Sequence, residues 1–160
     1  MDVNVQFGAA SFFLSCVYGD PTINRRHLLW ERVSRIGVGR RDSWCMLGDF
    51  NDVLHHGEKI GGPRRRDAYF KPFTEMLSAC DMTELPGHGN SFTWGGRRGD
   101  FWIQCKLDRV FGNKEWTKQF PVANDRGIRL SQYLSLILQV HRSKVVRVIE
   151  HKDQIVHYKV

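Results

Sequence analysis

The sequence predicts an α/β domain. Three observations carry this: the β-prone run Phe12-Phe13-Leu14-Ser15-Cys16-Val17-Tyr18, the recurrence of Leu29, Val33 and Ile36 at i, i+4 and i+7, and the unperiodic apolar run Trp44-Cys45-Met46-Leu47. A length of 160 residues suits one domain with a real but modest core, and no internal repeat, low-complexity tract or linker divides the chain.

The first run ends at Gly19-Asp20-Pro21 and reads as a strand leading into a turn. A helix follows from about Thr22, with Arg and Glu between its apolar positions and Gly37 and Gly39 as its stop. The next strand opens at Trp44, and Gly48 lets the backbone turn out of the sheet with no Cβ in the way. Asp49 and Asn51, at i and i+2 on an extended segment, are expected to converge on one spot able to hold a water and a phosphate oxygen. Gly, Asp and Asn are also what any turn after a strand contains, so the octapeptide Trp44 to Asn51 taken alone favours a turn over a site.

Asp52 to Asp67 reads as a long polar loop that holds Glu58-Lys59-Ile60-Gly61-Gly62-Pro63 and Arg64-Arg65-Arg66, a length that usually marks function or disorder. Phe70, Phe73, Leu77 and Cys80 then recur at helical spacing, and Pro72 is tolerable only in a first turn, which sets the start near Tyr69. Ser91-Phe92-Thr93-Trp94 and the run Trp102 to Phe111 flank Gly95-Gly96-Arg97-Arg98-Gly99-Asp100, a hairpin with a basic tip. Asn113 caps a short helix that ends before Pro121. Ile128 to Val140 is strand-like, and the tail from His141 reads as a charged hairpin or a helix.

Lys plus Arg exceeds Asp plus Glu by 24 to 17, a formal charge of +7, which favours an anionic partner such as nucleic acid. Many soluble proteins are as basic, but here the charge clusters at Arg64 to Arg66 and at Arg97-Arg98. Cys16, Cys45, Cys80 and Cys105 form no CxxC pair, so reduced thiols in an intracellular protein are expected rather than disulfides or zinc. The apolar run Phe7 to Val17 is too short for a bilayer and Asp2 stands where a signal peptide carries Lys or Arg, so no membrane or secretory segment is expected. The pair His55-His56 reads first as loop polarity.

Five motifs in one order carry a resemblance. Val17-Tyr18-Gly19-Asp20-Pro21, Leu47-Gly48-Asp49-Phe50-Asn51, Glu58-Lys59-Ile60-Gly61-Gly62, Ser91-Phe92-Thr93-Trp94 and Lys106-Leu107-Asp108-Arg109 together resemble the endonuclease domain of plant non-LTR (LINE-type) retrotransposons. That domain belongs to the endonuclease/exonuclease/phosphatase superfamily. The resemblance implies a four-layer α/β sandwich, two mixed sheets flanked by helices, and a phosphodiester-cleaving site served by Mg2+ or Mn2+. By the same resemblance Asp49 orients and activates the water, Asn51 bonds the scissile phosphate, Tyr18 contacts a phosphate oxygen, and Asp108 orients a catalytic histidine. Arg64, Arg65, Arg66, Arg97 and Arg98 track the backbone of DNA, or of RNA, without sequence specificity. Without the resemblance, Tyr18 reads as a strand-end aromatic, Asp108 as a partner of Arg109 or Lys106, and Phe92 and Trp94 as core.

Two departures bear on activity. The family pattern opens with about half a sheet more, carrying an Asn and a metal-binding Glu that this sequence does not match, so the sandwich is expected to be incomplete, without its first strands and prone to self-association. Where the family has Ser-Asp-His, this chain has Ser131-Gln132-Tyr133: Gln132 removes a charge available to a metal, and Tyr133 cannot supply an imidazolium. Losing one such stabiliser costs about 3 kcal/mol of barrier, so weak or absent nuclease activity is expected. Residues 1–138 are read as a partial domain of this kind and 139–160 as a divergent tail, in a nuclear or cytoplasmic protein. Two rivals stand beside this reading: an active phosphodiesterase that recruits Glu58, His55 and His56 as ligands, and a non-catalytic nucleic-acid-binding module.

Overall fold

Val3 and Val5 alternate with Asp2, Asn4 and Gln6, the period of a strand with one buried face, and the computed structural model forms its first strand there (β1, Asp2–Phe7). The structure describes residues 2–7, 9–87 and 90–121. β2 (Ala10–Tyr18) returns antiparallel to β1, from Asp2↔Ser15 to Phe7↔Ala10. The start of β1 is tied down by polar contacts. Ser15 Oγ donates to Asp2 Oδ1 at 2.6 Å and accepts from Trp44 Nε1 at 2.8 Å, while Arg40 pairs with Asp2 at 2.7 Å.

A 3₁₀ turn at Ile23–Arg25 leads into α1 (Arg26–Gly37). Its buried stripe is Arg26, Trp30, Val33 and Gly37. Of the expected stripe only Val33 is fully buried; Leu29 is half-buried and Ile36 is 42% exposed. The helix is rotated from that expectation because Trp30, with the largest apolar surface available, takes the core position. β3 (Trp44–Asp49) then runs parallel to β2, so β2, α1 and β3 form one crossover unit.

The expected long loop is a structured segment. Its middle forms a 3₁₀ turn (His56–Glu58) and a short strand, β4 (Lys59–Ile60). After a further 3₁₀ turn at Asp67–Tyr69 comes α2 (Lys71–Ala79), with Pro72 in its first turn and Phe70, Phe73, Leu77 and Cys80 all buried as their spacing predicts. β5 (Met82–Glu84), β6 (Trp94–Arg98), β7 (Phe101–Cys105) and β8 (Asp108–Asn113) follow. α3 (Lys114–Gln119) comes next, and the Asn113 side chain accepts from Trp116 N at 2.9 Å, as a capping residue should.

The run expected as one strand from Trp102 to Phe111 is divided at Lys106 and Leu107. Its first half pairs with β4 and β6, its second with β3 and β5. The fold is α/β; the described residues form a five-stranded mixed sheet in the order β1-β2-β3-β8-β5 and a three-stranded antiparallel sheet in the order β4-β7-β6. On one face of the larger sheet Trp44, Met46 and Phe111 pack with Trp30 and Val33 of α1 and Phe73, Met76 and Leu77 of α2. On the other, Phe12, Leu14, Cys45, Leu47 and Val110 pack with Trp116 of α3. Val53, Phe70, Cys105 and Leu107 form a third cluster beside the smaller sheet, joined by the half-buried Trp94.

All four cysteines are free thiols, three of them buried, and burial pushes Cys80 up to about 11. Among the described residues no helix is long and apolar enough to cross a membrane. The predicted strand Ile128 to Val140, the degenerate positions Gln132 and Tyr133, and the tail lie outside the described residues.

Candidate active site

Three of the residues singled out in the sequence lie in one row. Tyr18 ends β2, Asp49 ends β3 and Asp108 begins β8; Asp49 is the register partner of Tyr18 on one side and of Asp108 on the other. Register partners present their side chains on the same face of a sheet. A phenol and two carboxylates therefore share one end of the larger sheet, with Tyr18 52% exposed and both carboxylates half-buried.

Asn51 closes the row by a route the extended-strand expectation did not contain. β3 ends at Asp49, and Asn51 adopts a left-handed φ of 50°. Its backbone N–H donates to Asp49 Oδ1 at 2.8 Å, and its Nδ2 donates to Gly19 O at 2.9 Å. The segment is thus a turn that also presents polar groups at the sheet's end. Close backbone approach makes it possible: at Gly48, with φ 140°, a Cβ would lie 2.0 Å from Val17 O.

Partial burial pushes the Asp49 carboxyl above its ordinary value of 3.8; the Asn51 N–H pulls it down, the neighbouring Asp108 charge raises it, and Arg26 lowers it. A carboxyl with a raised folded pKa contributes stability that is full below its unfolded value and is lost as pH rises through the folded one. Asp49→Asn removes that loss. The variant is expected to melt higher than the parent near neutrality, with the difference closing as pH falls below the ordinary carboxylate range. Equal melting temperatures at both pH values would contradict this.

Arg26 had no signal in the sequence, since a lone Arg in a first helical turn is unremarkable. It is 8% exposed, donates from Nε to Asp20 O at 2.8 Å and from Nη2 to Pro21 O at 3.1 Å, bonds the Tyr69 hydroxyl, and stands 3.5 Å from Asp52 Oδ1. It therefore fastens the turn after β2 and places positive charge near Asp49.

Glu58 is buried and paired with Arg109, and its Oε2 also accepts from Leu54 N at 2.6 Å. Both contacts tie it to the fold. His55 stands 3.6 Å from Glu58, and His56 bonds Asp67 at 2.7 Å. Arg109 and Lys106 pair with Glu84, so the expected pairing of either with Asp108 is replaced. Arg64 and Arg66 are exposed and Arg65 half-buried. Arg97 and Arg98 lie exposed within β6, not at the hairpin tip, and Arg98 stands over Trp94.

Among the described residues no three of His, Cys, Asp and Glu converge as a metal-holding group. The Asp49 and Asp108 carboxylates fit the sparser mode of Mg2+, which takes one or two carboxylates and completes its shell with water and substrate phosphate.

A family model described as "Endonuclease/Exonuclease/phosphatase family" matches residues 4–130. The chain belongs to that family. Divalent metal ions are in general use among endonuclease/exonuclease/phosphatase proteins. Among solved structures, one similar chain is the endonuclease domain of TRAS1, a telomere-specific non-LTR retrotransposon, at 20% identity and a TM-score of 0.46 over 70% of this chain and 49% of that one. Another is CdtB, the biologically active subunit of cytolethal distending toxin, at 15% identity and a TM-score of 0.36 over 71% of this chain and 38% of that one. The chain thus spans half or less of the length of these two structures. No curated protein matches it.

Proposed function

We propose that the domain is the phosphate-binding part of a metal-dependent DNA endonuclease of the non-LTR retrotransposon kind, with its hydrolytic step impaired. The observation that carries this reading is the row Tyr18, Asp49 and Asp108, closed by Asn51 at the end of the mixed sheet. In this reading Asp49, made more basic by partial burial, takes the proton of the attacking water. A carboxamide has two N–H donors; one of Asn51's goes to Gly19 O, leaving the other for the scissile phosphate. Tyr18 donates its hydroxyl to a phosphate oxygen. Asp108, beside Asp49, would hold Mg2+ or Mn2+, whose charge would offset that developing on the phosphate and leaving oxygens.

Impairment follows from Tyr133 and Gln132, which stand where the family resemblance expects His and Asp. A second reading, a non-catalytic binder of DNA or RNA, is favoured by the exposed Arg64, Arg66, Arg97 and Arg98, whose contacts with a phosphate backbone weaken with salt. A nuclear or cytoplasmic location goes with either.

The test is a nicking assay on supercoiled plasmid with Mg2+ or Mn2+, run beside Asp49→Ala and Asn51→Ala. The expected result is no nicking above the two variants, together with retardation of DNA at low salt. Nicking that both substitutions abolish would overturn impairment and leave a working nuclease. Absence of both nicking and retardation would sink the nucleic-acid reading altogether.

A further inference from the structure

The segment between β3 and α2 folds around a cleft of about 340 Å³ that the catalytic row does not use. Lys59, Arg64, Arg65, His55 and His56 line it, and among the described residues no Asp or Glu does. Two carboxylates stand behind that lining, Glu58 paired with Arg109 and 3.6 Å from His55, and Asp67 bonded to His56. Its floor is apolar: Val53 and Phe70 are buried, and the His56 ring meets the Phe70 ring edge-on at 4.9 Å. An apolar wall beside cations strengthens their pull on an anion by excluding water.

The donors of this cleft are held in place and left short of acceptors. Lys59 Nζ bonds Gly61 O and donates to Pro63 O at 2.9 Å, so two of its three N–H groups fix its position and one is left over. The Arg65 guanidinium lies 4.0 Å over the Tyr69 ring, and its buried Nε–H has no acceptor among the described residues. Arg64 Nε points at His56 Nε2 from 3.3 Å, yet the same ring nitrogen meets Asp67 Oδ1 at 2.7 Å. One nitrogen cannot both donate and accept, and the shorter contact to a carboxylate prevails, which leaves the Arg64 N–H without its acceptor. Gly62, with φ 65°, is part of the lining, where a Cβ would come within 3.0 Å of Ile103 Cδ1 and 3.4 Å of Lys59 Nζ.

We infer that this cleft is a phosphate subsite, taking one backbone phosphate of a polynucleotide apart from the phosphate that faces Asp49. Arginine N–H groups lacking acceptors, a tethered ammonium and the absence of lining carboxylates suit a tetrahedral oxyanion, and the volume leaves room for its ester substituents. Tyr69 links it to the catalytic row, since the ring under Arg65 also receives the Arg26 hydrogen bond and the Arg26 charge acts on Asp49. The polymer in this inference rests on the nucleic-acid reading above; the phosphate does not. Arg66 is exposed and does not line the cleft, so the three consecutive arginines are not equivalent.

The experiment titrates inorganic phosphate into the full chain by calorimetry, against chloride at matched ionic strength, and measures a labelled oligonucleotide by anisotropy at fixed salt. Proteins compared are the parent, Lys59→Gln/Arg65→Gln, Arg65→Lys and Arg66→Gln, each first shown to melt as the parent does. The expected result is one saturable phosphate site, weakened about tenfold or more in the double variant and retained in Arg66→Gln, with Arg65→Lys in between because it keeps the charge and loses the planar fork. Oligonucleotide affinity falls in the same order. No phosphate binding by the parent, or equal binding by the double variant, overturns the subsite. Phosphate binding lost while oligonucleotide binding is unchanged overturns the polynucleotide assignment and leaves a site for free phosphate. No readout depends on nicking, so an inactive nuclease and a wrongly assigned cleft give different results.

Discussion

Arg109→Leu is expected to cost about 3–5 kcal/mol of folding stability, the penalty for leaving a buried charge without its partner. Against a total of about 5–15 kcal/mol for a domain, that is enough to leave much of the protein unfolded. Arg109 is 1% exposed on β8. It bonds both oxygens of Glu58, donates from Nη1 to Glu84 at 3.1 Å and from Nη2 to Lys106 O at 3.1 Å. This one guanidinium ties the turn before β4 to two strands of the larger sheet, and so holds the smaller sheet's edge against the end that carries Asp108. Glu84 would keep Lys106 at 2.9 Å, but Glu58, 6% exposed, would keep only the Leu54 N–H and a distant His55.

The pH dependence separates this cause from lost packing. Burial by itself raises the Glu58 pKa, but the Arg109 hydrogen bond, the Leu54 N–H and the Arg109 charge together hold it below its ordinary value of 4.5. A lowered folded pKa means stability that is present above the unfolded value and lost as pH falls through the folded one. Without Arg109 the burial effect takes over and the neutral acid becomes the favoured form, so the variant's deficit should shrink in acid. Urea denaturation near neutrality and in mild acid checks this. Arg109→Leu/Glu58→Leu should recover most of the loss, because an apolar pair of similar volume often replaces a buried ion pair at little cost. A single-variant loss under about 1 kcal/mol, or a loss constant with pH, would refute the account.

Neither Glu58 nor Arg109 announces this pair in the sequence. They lie 51 positions apart, and their motifs suggest other partners. What the chain does disclose is periodic or local. Phe70, Phe73, Leu77 and Cys80 fix the buried face of α2, Pro72 fixes its start, and Asn113 caps α3, because in each case a single element supplies the whole cause. The phase of α1 was ambiguous, since Leu28, Leu29 and Trp30 are consecutive and any one could face inward; the aromatic did, and Leu28 is 56% exposed. β1 is not among the elements expected from the sequence: Val3 and Val5 alternate with polar residues, but the segment is short and none of the five family motifs falls on it. The division between β7 and β8 leaves no trace, because apolar residues continue across Lys106 and Leu107 while the chain moves from one sheet to the other.

The candidate site is half legible for the same reason. Asp49 and Asn51 stand in a single octapeptide and can be read together, whereas their alignment with Tyr18 and Asp108 depends on register between strands far apart in sequence. Arg26 and Asp52 belong to no motif pattern at all. Their importance arises only when α1 packs under the turn after β3, burying both.

That packing yields the second large effect: Trp30→Ala should lose about 3–5 kcal/mol, as removal of a large buried aromatic does. Trp30 is 2% exposed, stacks on Phe73 at 4.7 Å and on Phe50 at 6.1 Å, and donates from Nε1 to Asp52 Oδ2 at 3.2 Å. Phe50 is the residue between Asp49 and Asn51, fully buried, with Phe111 edge-on at 5.1 Å. The indole therefore supports the turn from beneath, and its loss should loosen the Asn51 N–H bond to Asp49 as well as the core. Trp30→Phe divides the contributions. It keeps a ring against Phe73 but removes the indole donor, leaving Asp52 with Arg26 and the Val53 N–H, for a loss of about 1–3 kcal/mol. If packing governs, Trp30→Ala is the worse of the two by urea denaturation and shows faster amide exchange at Asn51 than Trp30→Phe. If the two variants lose equal stability, the indole's hydrogen bond to Asp52 carries the effect and the stacked rings contribute little to holding the turn.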